Sequence, residues 1–121
     1  GPVYMKRPLS LEGSTAEEVF IRSSRLSATM IREIIEKKPE PEPQPQSGEV
    51  ITFRRRTPSE SEISARDSLR ELHDFLRMLD AEGYPPAFIE HEGYRYEFRR
   101  SSLYDDRIEA TVTIKPLDSE E

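Results

Sequence analysis

Residues 69–90 read LRELHDFLRMLDAEGYPPAFIE, and the folding of the second half of the chain follows from them. Four apolar positions recur at helical spacing: Leu69, Leu72, Leu76 and Leu79. Ser68 and Glu71 have the spacing of a capping box, in which each side chain binds the backbone of the other. Gly83 and the two prolines after it end a helix. The stretch predicts an amphipathic helix that leads through a short turn into a strand.

Three segments after this helix alternate apolar and polar residues, at 87–90, 94–99 and 108–114, as strands of an antiparallel sheet do. Glu92 and Gly93 sit where a tight hairpin turn is needed. One set of apolar side chains comes from the second strand and another from the third: Tyr94, Tyr96 and Phe98, then Ile108, Ala110, Val112 and Ile114. We expect these residues to form the inner surface on which the helix packs.

The first half of the chain predicts a short strand at 3–6 and a long helix at about 15–38. Ser14 and Thr15 stand three residues before Glu17 and Glu18, which is capping-box spacing. Apolar residues follow at helical spacing, and we place Lys37 and Lys38 in the last turn. The sequence PEPEPQPQSG at 39–48 alternates proline with polar residues, so it predicts an extended linker rather than a proline-rich docking motif. Residues 50–53 predict another short strand.

Composition limits what the chain can do. It has 121 residues, a formal charge of −6, no cysteine and no tryptophan, which excludes disulfides, thiol nucleophiles and cysteine-based zinc sites. No apolar run approaches the roughly 20 residues that a membrane-spanning helix needs. We therefore expect a soluble, cytoplasmic protein without a membrane partner. The acidic balance disfavours broad binding to a phosphate backbone, although a local basic patch stays open.

Residues suited to catalysis are scarce. His73 and Asp74 are adjacent, but neighbouring helical residues point about 100° apart, so we expect His73 to be solvated surface. His91 has no ligand partner at metal spacing, and no metal site is expected. Arg54, Arg55 and Arg56 could bind phosphate. The favoured interpretation is that they alternate between faces, with one pairing to Glu60 or Glu62. No residue of this chain is predicted to be catalytic.

The order of these segments and their amino-acid sequences resemble those of the folate-dependent formyltransferases. The segment RMLDAEGYPPAFIE is similar to the start of their C-terminal domain, and ITFRRRTPSESEI to the connection before it. GPVYMKRPLSL and STAEEVF…IREIIEKK resemble the late strand and last helix of the catalytic domain.

The resemblance implies an α+β fold assembled from parts of two domains. Residues 1–38 would contribute an edge strand and long helix from the end of a Rossmann-like catalytic domain. Residues 39–60 would be a Pro-rich linker, 61–117 a helix with a reduced, antiparallel OB-like sheet, and 118–121 a disordered tail. Gly1 would belong to the turn that carries the family's catalytic Asp, so that its catalytic Asn, His and Asp would all lie upstream.

The resemblance also implies transfer of a formyl group from 10-formyltetrahydrofolate to a primary amine, with that cofactor bound by the full-length parent and not by this chain. Two acceptors compete. An acidic chain with few C-terminal strands, and without the Ile-Asp-Trp of the tRNA enzymes, favours a small amine such as an amino-sugar nucleotide. The alternative is methionyl-tRNA. Six arginines are the candidate substrate-binding residues: Arg54, Arg55, Arg56, Arg95, Arg99 and Arg100.

A further alternative is a non-enzymatic protein-interaction module that uses the arginine run and a sheet edge. The sequence also leaves a homodimer open.

Overall fold

A computed structural model describes residues 1–117, so the acidic tail predicted to be disordered lies outside the described residues. In chain order the elements are α1 (Ala16–Glu36), a 3₁₀ turn (Pro58–Ser61), α2 (Leu69–Met78), β1 (Ala87–His91), β2 (Tyr94–Leu103) and β3 (Ile108–Pro116). The α+β class is confirmed. None of the helices described is long and apolar enough to cross a membrane.

Two units divide the chain. The N-terminal unit consists of residues 1–12 and 19–55, and the C-terminal unit of residues 13–18 and 56–121. The predicted domain limits at 38, 60 and 117 stay a prediction.

Helix α1 dominates the N-terminal unit. At its start the Thr15 hydroxyl accepts a hydrogen bond from the Glu18 N–H at 3.3 Å, and the Glu18 carboxylate accepts from the Ser14 N–H at 3.1 Å, so capping begins at Thr15. The helix ends at Glu36, and its last turn holds no basic residue, which corrects the placement of Lys37 and Lys38.

The remaining predicted elements of this unit are largely extended chain. The predicted strand at 3–6 is reduced to one antiparallel bridge, in which Val3 exchanges two 2.7 Å hydrogen bonds with Gln44. The predicted strand at 50–53 is absent, and Phe53 is 87% exposed. Alternation alone does not form a strand where no neighbouring strand supplies hydrogen bonds.

The C-terminal unit holds all the buried apolar residues of the described chain: Ala16, Leu76, Pro86, Ala87 and Phe88. Helix α2 is capped by Ser68, whose hydroxyl accepts from the Glu71 N–H at 3.1 Å, which is one half of the predicted capping box. Residues 13–18 are held in this unit by the loop after α2. The Glu17 N–H donates to the Asp80 carbonyl at 3.2 Å, and the Glu17 carboxylate accepts from the Glu82 N–H at 2.9 Å.

The sheet has the order β1-β2-β3, with both pairs antiparallel. The β1–β2 turn is formed by Glu92 and Gly93, with φ of 50° and 84°, as the Glu-Gly pair predicts. A β-bulge interrupts β2: two residues lie between Arg99 and Ser102, while only one lies between their partners Thr111 and Glu109 on β3. Arg100, inside the bulge, has φ of 54°, and its N–H donates to the Asp80 carboxylate at 2.7 Å.

The prediction that α2 packs on the apolar residues of both β2 and β3 is only partly right. Tyr96 pairs with Ile114 and Phe98 with Val112, so the two sets do share one face. However, α2 contacts β2, whereas Val112 is 41% and Ile114 57% exposed. Strand β3 is therefore an open edge rather than part of a covered core.

Candidate functional site

Three cations line one face of the sheet, and we call Arg95, Arg99 and Lys115 the basic strip. Arg95 on β2 lies directly opposite Lys115 on β3, and Arg99 lies four residues after Arg95 on the same face, opposite Thr111. The side chains are 38%, 38% and 57% exposed for Arg95, Arg99 and Lys115. These positive groups are accessible to an anion from solvent.

A buried carboxylate stands in the middle of the strip. The Glu97 side chain is 8% exposed, and its Oε1 lies 3.1 Å from Lys115 Nζ and 3.8 Å from Arg99 Nη1. Neither contact meets hydrogen-bonding geometry at Oε1, so the attraction is ionic. Removing a carboxylate from water is costly without opposite charge nearby. Glu97 therefore holds the two cations in place while cancelling part of their charge.

Arg95 is positioned by two neighbours on β1. Its guanidinium lies over the Phe88 ring, with 4.1 Å from Cζ to the ring centroid, and Phe88 is buried. The same group donates to Glu90 Oε2 at 2.7 Å from Nη2 and 3.1 Å from Nε. Stacking and ion pairing restrict the side chain to one orientation, which lowers the entropy lost when it binds an anion.

The bulge in β2 is what puts Lys115 in the strip. Beyond the bulge, Leu103 pairs with Ile108. If β2 lacked the extra residue, this register would continue along both strands, and Pro116 would lie opposite Arg95 and Lys115 opposite Tyr96. Lys115 would then point to the other face. Lys115 is not predictable from the sequence as a member of the strip, because no turn motif marks the bulge.

Of the six predicted arginines, the structure brings Arg95 and Arg99 together. Arg100 is exposed and lies at the bulge, outside the strip. Arg56 donates to the backbone carbonyl of Glu60 at 3.1 Å. Arg54 and Arg55 belong to the N-terminal unit.

His73 is not the solvated residue predicted. It is half-buried on α2, and its Nδ1 lies 2.8 Å from the hydroxyl of Ser101, a buried residue of the bulge. Burial lowers the pKa of His73 below 6.5, and the charge of Arg77 lowers it further, while Asp74 opposes them. Asp74 pairs with Arg77 at 2.8 Å, so this neighbouring carboxylate does not orient the His–Ser pair for catalysis. The pair instead joins α2 to β2.

Within residues 1–117, no group of three or more His, Asp or Glu side chains is arranged to hold a metal ion. The chemistry available to the basic strip is binding of an anion such as phosphate or carboxylate.

Comparison with known proteins gives one family match and one structural match. Residues 58–115 match the family model for the C-terminal domain of methionyl-tRNA formyltransferase. The chain thus matches the C-terminal portion of the formyltransferases. The structure is similar to that of the methionyl-tRNA formyltransferase from Clostridium thermocellum, with 46% sequence identity and a TM-score of 0.87. A search of curated proteins gives no match.

This likeness covers 96% of the present chain, so it includes the N-terminal residues outside the matched domain. It covers 50% of the Clostridium chain, and the present chain thus spans about half the length of that relative. The resemblance to formyltransferases is confirmed. The preference for an amino-sugar acceptor is not supported, because both matches are to methionyl-tRNA formyltransferases. Overall acidity, one of the three features on which that preference depended, says nothing about a local cationic strip.

Proposed function

We propose that this chain is the C-terminal part of a methionyl-tRNA formyltransferase and that its basic strip contacts the tRNA backbone. The observation that carries the proposal is the match of residues 58–115 to that C-terminal domain. In the whole enzyme, a formyl group would pass from 10-formyltetrahydrofolate to the amine of the methionyl group. The residues that catalyse this step would lie in the half of the enzyme that this chain does not include.

The contact with tRNA is proposed to be local. The C-terminal unit carries nine Lys and Arg against eighteen Asp and Glu, so most of its surface repels phosphate. Arg95, Arg99 and Lys115 provide an exposed exception. Three phosphate contacts would give a logarithmic salt slope of roughly two to three, which is shallow for a nucleic-acid-binding protein.

Titration of tRNA against the 121-residue chain at several salt concentrations tests this proposal. We expect the double variant Arg95→Gln/Arg99→Gln to bind about tenfold more weakly at low salt and to lower the slope by about two. A second double variant, Arg25→Gln/Arg32→Gln, changes the net charge equally on the exposed surface of α1 and should bind like the wild type.

Two results would contradict the proposal. One is equal weakening by both double variants, which would indicate a response to net charge alone. The other is saturable binding of an amino-sugar nucleotide by a chain that does not bind tRNA, which would restore the small-amine alternative.

A further inference from the structure

Strand β3 is an edge strand whose residues are accessible along nearly its whole length. Ile108 is half-buried, and residues 109–116 are all exposed. Its pairing partner is β2 on one side, and among residues 1–117 no strand pairs with its other side. Such an edge presents a row of backbone N–H and C=O groups that favour another strand.

Features that commonly block edge pairing are confined to the ends of β3. Lys115 and Pro116 lie at its C-terminal end, and Glu109 lies near its start. The five residues between them, ATVTI, are uncharged and include β-branched residues that favour strands. The middle of the strand therefore has nothing to prevent addition of a partner.

We propose that β3 pairs with β3 of a second copy of this chain, antiparallel, about a two-fold axis at Val112. The sequence of β3 is complementary to that of a second, antiparallel copy of the same strand. With Val112 opposite its own counterpart, Ala110 lies opposite Ile114 and Thr111 opposite Thr113. Glu109 then lies opposite Lys115, so both ends of the interface bring together opposite charges.

The same register keeps each face of the sheet chemically uniform. On one face, Val112 and Ile114 of each copy join to give a continuous apolar surface with Tyr96 and Phe98 of β2. On the other face, the two Glu109–Lys115 pairs flank the threonines. Pro116 would lie opposite Ile108, where its missing N–H affects only the last rung of the ladder.

Competing ion pairs within one copy do not exclude this arrangement. Glu109 already accepts from Arg107 at 2.7 Å, and Lys115 lies 3.1 Å from Glu97. A carboxylate has two oxygens and an ammonium three donors, so each group can serve both neighbours. Lys115 belongs both to the basic strip and to this interface, but the pairing of β3 does not rest on the proposed function.

Cysteine cross-linking tests the register directly, because the chain has no cysteine of its own. We expect the Val112→Cys variant to form a disulfide-linked dimer on mild oxidation, since residues directly opposite in antiparallel strands have Cα atoms about 4.5–5.5 Å apart. The matched control is Ala110→Cys. In this register residue 110 lies roughly 13 Å from its counterpart, beyond the reach of a disulfide. Circular dichroism establishes that both variants keep the wild-type fold.

Charge exchange tests the same contact without covalent chemistry. By analytical ultracentrifugation from micromolar to half-millimolar protein, we expect a monomer–dimer equilibrium for the wild type. Glu109→Lys and Lys115→Glu each place like charges opposite one another twice per dimer, which should raise the dissociation constant roughly tenfold. The double exchange should restore it.

Three outcomes would overturn the proposal. The wild type could remain monomeric over the whole concentration range, as expected if β3 is covered by another protein or by other residues of the natural enzyme. The Ala110→Cys variant could cross-link as readily as Val112→Cys. The double charge exchange could fail to recover the association lost in the single variants.

Discussion

His73 shows how a side chain can be placed by a distant element instead of by its neighbours in sequence. Its imidazole is half-buried against Ser101, which is 28 residues away and belongs to the bulge in β2. The charged groups around it are Arg70, Asp74 and Arg77 on its own helix. Two of the three are cations, so a protonated His73 would be poorly accommodated.

This environment predicts lower stability in acid. The pKa of His73 is below 6.5 in the folded chain, whereas in the unfolded chain it takes its ordinary value of 6.5. As the pH falls through 6.5, the unfolded chain binds a proton that the folded chain does not, so the free energy of unfolding decreases. Urea unfolding at pH 7.5 and 5.5 measures this loss.

The comparison variant is His73→Asn, whose amide can also hydrogen bond to Ser101 and carries no titrating group. We expect it to lose less stability than the wild type between the two pH values. An equal loss in both proteins would show that His73 is not the responsible group.

At the scale of the elements, Leu76 is the buried residue of α2. Leu76 is 4% exposed, whereas Leu69 on the same helix is 39% exposed. The leucines of the predicted stripe are thus buried to very different extents.

Truncation of these two leucines should separate burial from helix propensity. We expect Leu76→Ala to decrease the free energy of unfolding by about 2–4 kcal/mol, because it leaves a cavity under the helix. Leu69→Ala makes the same chemical change at an exposed position and should cost less than about 1 kcal/mol. Denaturant midpoints compare the two, and similar losses would mean that α2 is not anchored as described.

Elements with strong local signals could be predicted from the sequence, and those that depend on partners could not. Helix α2 has a cap, a stripe and a glycine stop, and each strand of the sheet has alternation with a turn beside it. Residues 50–53 have strand-forming side chains but no neighbouring strand. The site was only partly predictable for the same reason: Arg95 and Arg99 share a face by simple alternation, whereas Lys115 joins them through the bulge.

For the whole molecule, the C-terminal unit is assembled from two separate stretches of sequence. Residues 13–18 contribute buried Ala16, which is 3% exposed, and the hydrogen bonds of Glu17 to the loop after α2. The family match begins only at residue 58. The matched segment therefore lacks part of the unit's packing.

A chain that begins at Pro58 should accordingly be less stable than the C-terminal unit within the 121-residue protein. We expect its denaturant midpoint to be lower, because the Ala16 site and two backbone groups of the loop lose their partners. A synthetic peptide of residues 13–36 should raise the midpoint again. The same peptide with Ala16→Glu, which puts a charge at the buried position, should not, and equal rescue by both peptides would contradict this account.

One extra residue in β2 determines on which side of the sheet every later side chain of the hairpin points. Among homologues, the length of the β2–β3 hairpin therefore predicts the presence of a cationic surface better than the residue aligned with Lys115 does. In a homologue that has the lysine but one residue fewer in β2, the lysine side chain would lie on the face of the aromatic residues. A sequence alignment would show only a one-residue gap in β2 and would still align the lysine with Lys115.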